Sequence, residues 1–207
     1  MKAGIKQFIK MVLTWCWGGN NLLSIMLKNV INGGGNSLYI NRSARLRHCH
    51  FIIRGRQNHL FIDEGCNLTG LRILLEGDNN SIHIGKNVIV NASTAKPTVM
   101  NAVEGTNIFI GDECLFSNNI EIHTSDYHSI LSIDSFDRIN PAKDICLEER
   151  VWVGLRSIIL KGTHLSSDTI VGAGSVVAGN FKESNVIIVG CPANAKKHGV
   201  RWVHKKL

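Results

Sequence analysis

The densest polar run in the chain is His123-Thr124-Ser125-Asp126-Tyr127-His128-Ser129, and Trp152 follows His128 by 24 residues. Neutral imidazole titrates near pH 6.5 when unperturbed, so His128 is suited to take a proton from an alcohol at neutral pH. Asp126 is placed either to hold the site or to shape the loop. Trp152 stands in Val151-Trp152-Val153-Gly154, beside an inward valine, and therefore faces outward. It reads as a wall of a ligand cleft, or as a packing surface for a neighbouring subunit or the tail. His123 and His128 are five apart and His83 lies upstream. Three neutral imidazoles with an open fourth position would instead make a catalytic zinc site.

The elements that carry these residues follow from a period of six. Leu147, Val153, Ile159, Leu165, Val171 and Val177 stand six apart. Helices and ordinary strands repeat at 3.6 and 2; a three-sided parallel β-helix repeats at six, with one residue per side pointing inward. Upstream the same spacing joins Ile40, Leu46 and Ile52; Ile62, Leu68 and Leu74; Ile84 and Val90; and Ile110, Phe116 and Ile122. All of these are expected to face the core. The early coils repeat at 22 residues, three hexads plus a four-residue corner at Gly55-Arg56-Gln57-Asn58 and again at Gly77-Asp78-Asn79-Asn80. Two longer interruptions, residues 92–107 and 123–144, fall at corners, where insertions in solenoids carry function.

Ahead of the coils, residues 2–17 place Ile5, Phe8, Ile9, Val12, Leu13 and Cys16 on one helical face and Lys2, Lys6 and Lys10 on another. Gly18-Gly19 would end this helix, and a second would run to about Ile31. The pair reads as a cap over the open first coil. Attachment to a membrane surface through the lysines with Trp15 and Trp17 is the alternative. The organisation is thus all-β: a helical cap at 1–32, the β-helix at 33–179 with its insertion at 123–144, and a C-terminal tail at 180–207.

Composition narrows the partners. The formal net charge of +7 favours anionic ones, such as phosphates or an acidic glycan. The basic residues are scattered, with no nucleic-acid-binding motif, so nucleic acid is not expected. The six cysteines form no CxxC pair and read as free buried thiols of a cytoplasmic protein. No stretch approaches the roughly 20 apolar residues of a membrane span, and residues 11–17 lack the cleavage site of a signal peptide.

The hexads, Thr124-Ser125-Asp126-Tyr127-His128-Ser129, Ile139-Asn140-Pro141-Ala142-Lys143-Asp144, Val151-Trp152-Val153-Gly154, Gly172-Ala173-Gly174-Ser175 and Gly190-Cys191-Pro192-Ala193 together resemble the hexapeptide-repeat acyltransferases. They are most similar to O-acetyltransferases of capsular and lipopolysaccharide sugars, including those acting on polysialic acid. The resemblance implies a left-handed β-helix and a homotrimer with active sites between subunits. It implies acetyl-CoA as co-substrate and a sugar hydroxyl of a bacterial surface polysaccharide, neutral or acidic, as acceptor. No metal is expected. His128 matches the family's catalytic histidine and Trp152 its cleft tryptophan, with Asp126 beside them.

The same resemblance sets Gly154 and Ala173 by the pantetheine arm. Ala178 and Gly179 stand where a Thr-Lys pair is common, and Leu155 where a serine is common. Lys182, Lys196, Lys197 or Arg201 would then meet the CoA phosphates. Asn91 and Ser93 fall near the family's acceptor-binding asparagine. Trp202 reads equally as a sugar-stacking ring or a tail anchor. Two other readings use the fold differently: a β-helix carbonic anhydrase with zinc on His83, His123 and His128, and a non-catalytic scaffold.

Overall fold

From Ser37 onward the chain winds repeatedly through three stacked sheets, visiting each in turn. The computed structural model describes residues 30–205. Sheet A stacks Val30–Asn32, His50–Arg54, Leu71–Glu76, Thr98–Val103, Glu121–His123, Ile158–Leu160 and Val176–Val177. Sheet B stacks Ser37–Ile40, His59–Ile62, Ser81–Ile84, Asn107–Ile110, Ile145–Leu147, His164–Leu165 and Asn180–Phe181. Sheet C stacks Arg45–Arg47, Asn67–Thr69, Ile89–Asn91, Leu115–Phe116, Trp152–Val153, Ile170–Val171 and Val186–Gly190, with Ala193–His198 added antiparallel at its edge. All other pairings between named strands are parallel, so this is a parallel β-helix.

Register follows the repeat lengths read from the sequence. Ser37 pairs with His59, 22 residues on, and Cys146 with His164, 18 on. The core is a column from each sheet, including Ile62, Ile84, Ile110, Leu147 and Leu165 from sheet B, all at or below 1% exposure. Two expected core positions are corrected. Ile52 and Leu74 are only half-buried, and their neighbours Phe51, Ile53, Ile73 and Leu75 fill the interior instead. The strands here are five and six residues long. They enter one position earlier than a strict hexad allows, and a one-residue slip reverses every side chain.

The four extra residues of the early coils form the corner between sheets A and B. An asparagine there turns inward each time. Asn36 Oδ1 accepts the Asn58 N–H at 2.9 Å, and Asn58 Oδ1 accepts the Asn80 N–H at 3.0 Å. Asn80 Oδ1 then accepts from Gly105 N at 2.8 Å. The ladder satisfies corner peptides that burial would otherwise orphan. In the next coils Thr106 Oγ1 donates to Thr124 Oγ1 at 2.6 Å, which hands the corner over to the 123–144 insertion.

Cys49, Cys66, Cys114, Cys146 and Cys191 are free. Cys66 Sγ donates to Gly85 O at 3.0 Å and Cys114 Sγ to Glu148 O at 3.1 Å. Burial pushes the Cys66 thiol up to about 11 and that of Cys114 to about 12, so both are unreactive near neutral pH. The expected helix at 2–17 lies outside the described residues. The second helix cannot reach Ile31, since Val30–Asn32 is the first strand of sheet A, paired with His50–Arg54. Strands of the three sheets run from Val30 to His198, a wider span than 33–179. Among the described residues no helix is long and apolar enough to cross a membrane.

Candidate active site

The 123–144 insertion leaves the corner between sheets A and B, after Glu121–His123 and before Ile145–Leu147. Thr124 closes its base: Lys143 N donates to Thr124 O at 2.9 Å, and Thr124 N–H donates to Asn101 O at 3.2 Å. Inside the loop Asn140 is the hub. Its Nδ2 donates to Asp126 Oδ2 at 2.7 Å and to His128 O at 2.9 Å. Its Oδ1 accepts Ile130 N at 2.6 Å.

Lys161, from the coil above, completes the brace. Its Nζ reaches Asp126 Oδ2 at 2.5 Å and Asn140 O at 2.9 Å. The Lys161 ammonium, and after it the Asn140 amide, hold the Asp126 carboxyl below the usual carboxylate range. Asp126 therefore shapes the loop and makes no bond to the His128 ring. Glu104 pins the far side, accepting from Ser125 Oγ and from Arg138 Nη1, the latter at 2.5 Å.

Against this bracing, the His128 ring is exposed and meets no partner among the described residues. The loop beyond it is apolar and uncovered: Ile133 is 87% exposed and Phe136 75%. An imidazole on a fixed backbone with an open ring is arranged to meet something from outside its own coil.

Trp152 lies elsewhere. It faces outward from sheet C, between Leu115 and Ile170 in register. Gly154 and Leu155 follow it into the corner between sheets C and A. A shallow cavity opens there, lined by Asn91, Leu115, Phe116, Ser117, Asn118 and Leu155. Trp152 Nε1 and Asn118 Oδ1 are buried polar atoms with no partner. Of the two, Asn118 lines the groove, and its open acceptor is what a ligand donor would satisfy.

The structure gathers some of the expected residues and separates others. Asn91 lines the groove, whereas Ser93 holds the neighbouring turn, its Oγ accepting Lys96 N at 3.1 Å. Gly154 is buried against the coil above, where an added Cβ would lie 2.8 Å from Ala173 N. Ala173 is exposed at this same corner. Ala178 lies at the corner between sheets A and B, Lys182 beyond the last strand of sheet B, and Lys196 and Lys197 on the edge strand of sheet C. Trp202 anchors the tail: its Nε1 donates to Arg150 O at 2.7 Å, and its ring sits 6.0 Å from that of Trp152.

His128 thus lies in the insertion between sheets A and B, and Trp152 on sheet C, just ahead of the corner that leads into sheet A. Among the described residues no ring contact or hydrogen bond joins the two side chains. The zinc set is dispersed as well. His83 faces out from sheet B between Phe61 and Phe109, and His123 is bound to Asn101 and Glu121. Among the described residues no three metal-ligating side chains converge. Ser117 and Asn118 were not singled out by the sequence, and Asn140 and Lys161 stood only in motifs, with no role assigned to them. The polar run Ser117-Asn118-Asn119, one coil below Gly154-Leu155, was the signal in the sequence that could have marked the groove.

No family model matches the chain. It is 29% identical over 118 residues to the galactoside O-acetyltransferase of Lactococcus lactis subsp. lactis (strain IL1403), covering 56% of this chain and 53% of that protein. To the polysialic acid O-acetyltransferase of Neisseria meningitidis it is 29% identical over 153 residues, 70% of this chain and 68% of that protein. The chain therefore spans about half the length of the first relative and about two thirds of the second. The crystal structure of the polySia-specific acetyltransferase NeuO superposes with a TM-score of 0.68 at 26% identity, over 86% of this chain and 89% of that one.

The fold is the left-handed parallel β-helix. In sequence the chain resembles the polysialic acid and galactoside O-acetyltransferases, and in fold the polySia-specific acetyltransferase NeuO.

Proposed function

We propose that this protein transfers an acetyl group from acetyl-CoA to a hydroxyl of a bacterial surface sugar, at sites shared between copies of the chain. The observation that carries the reading is the placement of two incomplete half-sites on the two edges of sheet A. One is an open imidazole on a braced loop; the other is a groove with the unpaired Asn118 Oδ1 in its wall. Neither works alone, and a neighbour presenting the opposite edge would complete both.

The outer face of sheet A supports the association. Ile52, Leu74, Val99, Ile158, Leu160 and Val176 all face outward there and are only half-buried. Packing these aliphatic faces around a common axis sets the loop of one copy beside the groove of the next, and three copies close the ring. The exposed Ile133 and Phe136 would gain cover in the same step.

In the assembled site His128 takes the proton of the acceptor hydroxyl as its oxygen attacks the thioester carbon. The C–S bond then breaks, and the imidazolium returns that proton to the departing CoA thiolate. A backbone N–H, helped by the Trp152 N–H once the site is assembled, would stabilise the oxyanion formed in between, a role worth ~3 kcal/mol when a donor is well placed. Asn118 and Ala173 would border the pantetheine arm. With Ala178 and Gly179 in place of a Thr-Lys pair, the phosphates fall to Lys182, Lys196, Lys197 or Arg201. Asn91 would orient the acceptor. The +7 charge suits an acidic glycan as much as CoA, and a cytoplasmic site of action follows from the acetyl-CoA supply.

The test is release of CoA from acetyl-CoA with neutral and acidic glycans as acceptors, in wild type and His128→Ala. A loss of 10²- to 10⁴-fold in the variant is expected (about the contribution of a general base). Equal rates in both would end the catalytic proposal.

A further inference from the structure

Tyr127 has φ 62°, a region that bulky L-residues avoid. Around it His128 N donates to Asp126 O at 2.7 Å. An i→i+2 bond about a positive-φ residue is a γ-turn of the rarer, strained hand. The peptide that carries His128 is therefore turned by Tyr127, and such a turn persists only where its surroundings hold it.

The hold comes from sheet A. Asn101 Nδ2 donates to the Tyr127 hydroxyl at 3.0 Å and also lies 3.3 Å from His123 Nδ1. His123 Nε2 lies 3.2 Å from Glu121 Oε2. The four groups fit one assignment: Nε2–H donates to Glu121, and Nδ1 accepts from Asn101. On the other side Tyr127 N donates to Ser125 Oγ at 2.9 Å. Asn101 and His123 are the two polar rungs of an outward column whose other members are Ile52, Leu74 and Leu160. On a face otherwise aliphatic along this line, the polar pair meets the tyrosine.

We propose that Asn101 and Tyr127 form a latch that positions His128. Asn101 fixes the phenol, the phenol fixes the strained turn, and the turn presents the imidazole away from its own coil. Tyr127 is a positioning residue and takes no part in bond making. The proposal rests on reading His128 as the proton acceptor, and it adds to that reading the device that aims the ring.

The experiment compares full-length wild type, Tyr127→Phe, Asn101→Ala and the double variant. Each single change is expected to lower kcat roughly fivefold, the size of one net hydrogen bond, with KM for acetyl-CoA and Tm unchanged. The double variant should lose no more than the weaker single, because both cut one link. Amide hydrogen exchange over residues 126–130 should quicken by a similar factor in all three. Wild-type kcat and exchange in Tyr127→Phe, or additive losses in the double variant, would overturn the latch. Should the wild type transfer no acetyl group, the functional reading fails, and the exchange data alone still decide the latch.

Discussion

Lys161 Nζ lies 2.5 Å from Asp126 Oδ2, so the coil that follows the insertion holds the loop that begins it. Thirty-five residues separate the two. The contact closes the loop onto the solenoid wall, two residues ahead of His128. Substituting Lys161→Met should free the loop while leaving the coil intact. An expected fall in kcat of about tenfold, with little change in KM for acetyl-CoA, would show that the brace serves His128. A rise in KM alone would assign Lys161 to the donor instead.

The same pair sets an acid limit. The folded-state pKa of Asp126 is lowered, first by Lys161 and then by Asn140. A depressed carboxylate contributes its stabilisation above its unfolded value, near 3.9, and loses it as pH falls through the folded value. Protection of the loop amides, measured against unstructured peptides at each pH, should therefore stay level from about pH 8 to 5 and fall only below about 4. In Lys161→Met the onset should move to higher pH. Asp126 is 43% exposed in this pair, so the effect belongs to the loop and not to global stability.

Two glycines near the groove separate crowding from backbone conformation. A Cβ on Gly154 would sit 2.7 Å from Val171 O and 2.8 Å from Ala173 N, both backbone atoms of the next coil. Gly174, at φ 71°, has nothing within 4 Å of such a Cβ. Gly154→Ala should cost up to about 3 kcal/mol, the range for overpacking, since neither coil can shift without breaking its ladder. Gly174→Ala should cost only about 1 kcal/mol, from φ alone. Urea unfolding at equal m-values would rank them, and the reverse order would mean that the coils separate easily.

How far the sequence reached is clear from particular residues. The hexads led to the sheets because one inward residue per side is dictated by packing alone; Leu147, Val153 and Ile159 are all fully buried. They failed at Ile52 and Leu74, where a longer strand shifted the phase, and phase is set by pairing with neighbouring coils. The corner asparagines, 22 apart, carried a readable signal. Their inward turn was not readable, since it depends on which peptides burial leaves unpaired. His128 and Trp152 stood out by type and spacing. Asn140 and Lys161 did not, because an insertion has no period and its hydrogen bonds join distant positions. The separation of His128 from Trp152 was legible only once corners could be assigned to sheets.

That separation gives the most direct test of a shared site. If the loop of one copy serves the groove of the next, His128→Ala and Trp152→Ala each disable every site in a pure assembly. When the two variants are mixed, unfolded and reassembled together, some sites pair an intact loop with an intact groove. Random mixing at equal amounts yields about a quarter of all sites in that state, as expected for a heterologous ring contact. Transfer should reappear at about that fraction of the wild-type rate and scale with the product of the two mole fractions. Each variant carried alone through the same treatment should stay inactive. A mixture no more active than its parts, in assemblies shown by native mass spectrometry to be mixed, would mean that His128 and Trp152 do not act on one substrate. The brace at Lys161 would then hold a loop with some other task.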